Sequence, residues 1–320
     1  MARFSIGTAI GDGFSLIRRR PLAVFVWGLL MIAPAAGSFA LVFPAMGELI
    51  AQMPAPGEAE AYAGPPDQLM AQMMQLQAAS MLLNIGLMLV MVVVYAAIFR
   101  TILRPGDSGA FSLRVGMDEL RIGVVGLAIG VGLYAAMLLL VVICAVVGFA
   151  VWTAGGRVLF AVVVGLLVIA AMVAACIGLA RVSLIPPATL LYRDFAFSQG
   201  WRLAQGQTLR LFGLLVLIFL MILLVETVLL IGGVTAFAAS GLASGFDWTQ
   251  TGPDFNPFAA VSAWVARNWY WSVLGGLVGA FLYGVLMTLA IAPFASACRQ
   301  LAASASSASD AIQRPAPPLG

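Results

Sequence analysis

Six long apolar runs constrain this chain more than any other feature. They extend from about Pro21 to Met46, Met81 to Leu103, Ile122 to Trp152, Val158 to Ile185, Leu211 to Ala239 and Trp269 to Ala295. About 20 mostly apolar residues suffice to carry an α-helix across roughly 30 Å of hydrocarbon. Backbone hydrogen bonds must close internally in lipid, which leaves helices or a closed barrel. Barrel strands are short and alternate apolar with polar residues, whereas these runs are apolar on every face. The expected fold is therefore all-α and polytopic, with six transmembrane helices in a single membrane domain over residues 1–300. Residues 301–320, rich in Ala, Ser and Pro, are expected to form a disordered cytoplasmic tail.

Composition agrees, since 62% of the residues are hydrophobic and 9% charged. A soluble domain carries about 25% charged residues; this chain has too few to cover a water-facing surface. Arginine placement sets the expected orientation. Fourteen of the sixteen arginines fall in the N-terminal segment, the second-to-third and fourth-to-fifth connections and the tail, while only Arg157 and Arg267 fall on the opposite side. The arginine-rich side is expected to be cytoplasmic, with both termini there, in a bacterial inner membrane. Arg18 to Arg20 before an apolar run imitate a signal peptide, but the run continues past Ala35, Ala36 and Gly37.

The opposite-side loops carry their own signals. The first holds Glu48, Glu58, Glu60 and Asp67, and its Gln/Met/Leu-rich second half is expected to extend the second span as helix. In the last, Trp248, Trp264, Trp269, Tyr270 and Trp271 suit an interfacial aromatic belt. Asn256 before Pro257 marks a helix start, with Phe258, Val261, Trp264 and Val265 on one face.

The arginine-rich segments share a plan: phenylalanine and small polar residues, a partly amphipathic stretch with arginines, then a span. They run Phe4 to Pro21, Phe111 to Arg121 and Phe195 to Phe212. This suggests three repeats of interfacial helix plus two spans. In the first, Ile6, Ile10, Phe14 and Ile17 share a helical face that suits the headgroup plane. Arg18, Arg19 and Arg20 are candidate contacts for anionic lipid headgroups.

The stretch Arg181 to Leu215 contains Arg-x-Ser-Leu at Arg181, Ser183 and Leu184, then Pro186, then Trp-x-Leu-x-x-Gly at Trp201, Leu203 and Gly206. It resembles a signature of a bacterial inner-membrane family that includes the membrane domain attached to some glycerophosphodiester phosphodiesterases. The motif covers about a tenth of the chain. The resemblance implies a six-span membrane architecture without an assigned activity. Phosphodiesterase chemistry is not implied, because it belongs to a separate soluble barrel with histidines and a carboxylate cluster.

Histidine is absent, which excludes His-ligated metals, Ser-His-Asp catalysis and histidine pH switching. Cys144, Cys176 and Cys298 lie far apart in or near apolar runs and read as small buried hydrophobes. The net charge of +3 is too small to suggest nucleic-acid binding. Neither a cofactor nor an enzymatic activity is expected.

Few residues remain as functional candidates. Glu226, mid-way along the fifth span, is costly there; it reads as a hydrogen-bonded neutral acid or as a relay in a small transporter or channel. Arg181 reads as a helix-end arginine reaching the interface, or as a lipid-phosphate contact. Gly126 with Gly130, and Gly276 with Ala280 and Gly284, form small-residue stripes suited to close helix packing. Asp118 and Glu119, beside Arg114 and Arg121, read as local charge pairing on a solvated helix face. The leading expectation is a non-enzymatic envelope or lipid-associated scaffold whose partners are membrane lipids; the rival is a transporter using Glu226.

Overall fold

A computed structural model describes residues 4–51, 66–107, 109, 111–239 and 256–313. Among the described residues every regular element is helical: α1 (Ile6–Arg19), α2 (Pro21–Ala51), α3 (Pro66–Leu103), α4 (Met117–Val182), α5 (Ile185–Tyr192), α6 (Phe197–Ala204), α7 (Thr208–Ala239), α8 (Pro257–Arg267) and α9 (Trp269–Gln313), with a 3-10 turn at Pro105–Asp107. Six helical segments are long and apolar enough to cross a membrane: Pro21–Leu49, Met70–Leu103, Met117–Thr153, Gly155–Tyr192, Thr208–Thr235 and Trp269–Ser306. The protein is an all-α, multi-pass membrane protein.

The long element α4 holds two of these spans. Gly156 interrupts it with φ 71° and ψ −175°, a conformation open essentially to glycine alone. A Cβ on Gly148 would lie 3.4 Å from Val164. Sixteen residues of continuous helix would separate those positions by about 24 Å, so the two limbs fold back on each other. Trp152 meets Phe160 edge-on at 5.5 Å beside the bend. None of the most apolar window of the second limb is buried, and 6% of that of the first. Val131, Leu138, Val146, Val162, Ile169 and Val173 are all exposed. An apolar surface of this extent is not sustainable in water, and it identifies hydrocarbon as the solvent of this hairpin.

The chain packs as two compact units. Unit 2 contains Arg20–Val94 and Met221–Met287. Its α2 carries Pro34 and Pro44 within the helix. Each removes a backbone donor, and Ser38 donates its hydroxyl to the Pro34 carbonyl at 2.9 Å. The helix α8 starts where expected, with Asn256 Oδ1 accepting from the Phe258 amide at 3.1 Å. Asn256 also donates to the Gly47 carbonyl at 2.6 Å, and Phe43 meets Phe258 at 5.2 Å. The Gln/Met/Leu stretch is indeed helical, as the start of α3. A cavity of about 420 Å³ lies between α2 and α3, lined by Pro34, Ser38, Phe39, Ser80, Leu83 and Asn84 among others. Glu58, Glu60 and Trp248 fall outside the described residues.

Unit 1 contains Met1–Arg19, Tyr95–Leu220 and Thr288–Gly320. Its core includes Ile98, Leu184, Leu190, Leu211 and Leu214, all essentially inaccessible. The packed face of α1 is Ala9, Gly13 and Leu16, whereas Phe14, on the face expected to meet the headgroup plane, is 51% exposed. A Cβ on Gly13 would touch Leu289 and Ala292 at 3.6 Å. Small residues admit close approach to α9, so the bulky side turns outward.

The second arginine-rich segment has no separate interfacial helix. Residues 112–115 are irregular and the helix begins at Met117, directly continuous with the third span. The threefold plan is therefore imperfect. Two prolines open an additional short helix, α5, whose first turn needs no amide donors. The 301–320 segment is helical through Gln313, and the rest lies outside the described residues. Its Ala/Ser run has no glycine or proline before Pro315, so nothing interrupts the helix that α9 begins. Cys298 is buried, whereas Cys144 and Cys176 are only partly so.

Candidate functional site

Among the described residues the arginine–carboxylate pairs lie in unit 1, where they form a network of two groups. Arg100, near the end of α3, is 3% exposed, and Glu119 in the first turn of α4 is 5% exposed. The two form an ion pair, and Arg100 Nη1 also donates to the Ser112 carbonyl at 2.5 Å. Ser112 takes a left-handed φ of 54°, so this guanidinium braces a strained turn of the irregular segment. Glu119 thus departs from the expected solvated face. Its helix position points inward, and the fixed guanidinium of α3 stabilises it there.

Asp118 keeps its expected partner, with Arg121 Nη1 at 3.5 Å, and gains Arg104 Nη1 at 3.4 Å. Arg104 also donates from Nη2 to the Leu190 carbonyl of α5. On the other side of the unit, Asp12 of α1 accepts from Arg299 Nη2 at 2.8 Å and from the Ser296 hydroxyl at 2.5 Å. Arg299 Nη1 donates to the Ile102 carbonyl at 2.9 Å. Gln300 accepts from the Ser5 amide at 2.9 Å, completing the attachment of α1 to α9.

Arg181 stands at the end of α4. Its Nε donates to Thr208 Oγ1 at 3.1 Å, and its guanidinium lies over the Trp201 ring at 5.5 Å. The backbone explains this placement. Ser183 closes α4 by donating its amide to Leu179 at 2.9 Å, and Leu184 is fully buried. Gly200 approaches Ile185 so closely that a Cβ would lie 2.7 Å from its Cα. Gly206, at φ 74°, turns the chain from α6 into α7 and presents Thr208 to Arg181. The Trp-x-Leu-x-x-Gly pattern therefore has a local physical account: Trp201 stacks, Leu203 is half-buried and Gly206 makes the turn.

The remaining candidates stay apart from this network. Arg18 and Arg19 are exposed in the last turn of α1, and Arg20 is half-buried beyond it. Glu226 is exposed on α7 and does not line the cavity between α2 and α3. Arg100, Arg299, Asp12 and Thr208 were not anticipated as site residues. A signal existed: Arg100, Arg181 and Arg299 each lie near the end of the second, fourth or sixth span.

No family model, curated protein or solved structure matches the chain. Its class is defined by its own architecture, an all-helical multi-pass membrane protein.

Proposed function

We propose that this is a non-enzymatic protein of a bacterial inner membrane, a lipid-associated scaffold for envelope upkeep with both termini in the cytoplasm. The observation that carries the reading is α1. It packs through small residues, leaves Phe14 exposed, and ends on exposed Arg18 and Arg19. An apolar side chain beside guanidinium groups suits the boundary between acyl chains and anionic headgroups. The resemblance of Arg181 to Leu215 to a family without an assigned activity supports the same reading.

Orientation and lipid preference have separate tests. Reporter fusions placed after Gly64 and Asp194 are expected to report opposite compartments; the same compartment for both would sink the topology. For lipid preference, the full chain is reconstituted in mixed phosphatidylcholine and phosphatidylglycerol bilayers. Spin-labelled lipid then measures the composition of the motionally restricted shell. Changing Arg18, Arg19 and Arg20 together to Gln is expected to lower the phosphatidylglycerol preference by at least about threefold, well inside the bound set by roughly 1 kcal/mol for each of three basic residues near the surface. Glu226→Gln should leave it unchanged. An unaltered shell in the triple variant would remove the main support for lipid association.

A further inference from the structure

Three arginines near span ends in unit 1 invite comparison. Arg100 faces the carboxylate of Glu119, and Arg299 faces that of Asp12. Arg181 faces none among the described residues; its partners there are a hydroxyl and an indole ring. These two partners orient the guanidinium without neutralising it. The bond to Thr208 uses Nε, which leaves the terminal Nη1 and Nη2 edge for other acceptors. Two parallel donors of that kind match two oxygens of a phosphate better than any point charge does.

The sequence around Arg181 is basic. Between positions 181 and 210 the sequence places Arg181, Arg193, Arg202 and Arg210 against a single acid, Asp194. Arg202 follows Trp201 in α6, and Arg210 lies in the first turn of α7. Thr208 accepts from Arg181, so its own hydroxyl proton remains available for a second acceptor. The start of α7 adds a weak positive potential.

We propose that Arg181, Thr208 and Trp201 form a binding site for a phosphate group carried as a phosphomonoester or phosphodiester. The guanidinium edge binds two phosphate oxygens, Thr208 donates to one of them, and Trp201 fixes the guanidinium plane. The site deepens the lipid-association reading and rests on it, but it is distinct from the basic end of α1. The same chemistry suits a phospholipid headgroup or a free phosphate compound.

Native mass spectrometry of the full chain in neutral detergent tests this, with dioctanoyl phosphatidylglycerol and inorganic phosphate as separate probes. The wild-type chain is expected to retain one dioctanoyl phosphatidylglycerol tightly. Arg181→Gln is expected to weaken that binding at least about tenfold, the size of one lost charge-assisted hydrogen bond. Arg181→Lys keeps the charge and loses the fork, and should fall between. Competition by inorganic phosphate would identify the phosphate group alone as the ligand. Binding of the lipid without such competition would identify the headgroup in its lipid context. Wild-type affinity in folded Arg181→Gln would overturn the proposal; should that variant not remain monodisperse, wild-type affinity in both Arg181→Lys and Thr208→Val would do so. The Arg18, Arg19 and Arg20 triple variant should keep this one tight lipid, so failure of the α1 reading and failure of this site give different results.

Discussion

Glu119→Ala is expected to be among the most damaging single substitutions in unit 1, lowering stability by about 3–5 kcal/mol. The cost comes from what is left behind. Arg100 is 3% exposed, so removing the carboxylate strands a buried guanidinium without its counter-charge. Glu119→Gln keeps an acceptor for the guanidinium and should cost less. Arg100→Met with Glu119→Leu removes both charges and should recover most of the loss, because a buried pair is worth little more than well-packed apolar side chains. The double-mutant cycle therefore separates the pair's coupling from the burial cost of each member. Midpoints of thermal unfolding in detergent supply the comparison. A second readout is local: Arg100 braces Ser112, and Arg114 and Val115 beside it are exposed. Trypsin cleavage after Arg114 should accelerate in Glu119→Ala well below its unfolding temperature. Wild-type stability in Glu119→Ala would show that the pair does not hold the start of α4.

The arginine network also shows what was and was not legible in the sequence. The six spans were legible because hydrocarbon imposes a minimum apolar length on any helix that crosses it, and the observed helices cover all six runs apart from the break after Val182 near the end of the fourth. The start of α8 was legible because Asn before Pro is a local cap signal, satisfied within two residues. Glu119 was misread because its partner, Arg100, lies on a different helix, while Arg121 offered a nearer explanation. Asp12 and Arg299 are 287 residues apart, and no spacing rule connects them. The packed side of α1 was not legible for a related reason: periodicity selects bulky apolar residues, but glycine and alanine govern where two helices come closest. The break at Leu184 and the short α5 were blurred because only Arg181 and Ser183 interrupt the apolar sequence there, and Leu184 and Ile185 carry it on into Pro186 and Pro187.

The strongest packing constraint in unit 2 involves glycines at a helix crossing. A Cβ on Gly28 of α2 would lie 1.8 Å from the Ala280 carbonyl oxygen of α9, and a Cβ on Gly284 would lie 2.1 Å from the Val24 carbonyl oxygen. Both obstacles are backbone, so no side chain can rotate away and the helices themselves must separate. Separation would also loosen Trp27 and Val24, which are fully buried. In lipid, helix association depends on close packing more than on apolar burial, so this contact is hard to replace. Gly28→Ala and Gly284→Ala are each expected to destabilise by about 1–3 kcal/mol, and Gly28→Leu to prevent recovery of folded protein. The other small-residue positions supply the contrast. Gly126, Gly130 and Gly276 have nothing within 4 Å of an added Cβ, so alanine at each should be tolerated. Thermal midpoints of the five alanine variants in one detergent make the comparison. Equal tolerance at Gly28 and Gly126 would mean that α2 and α9 do not cross at these glycines. Selective loss at Gly28 and Gly284 would establish that backbone proximity, which a small-residue pattern alone does not reveal, distinguishes this stripe from the one on α4.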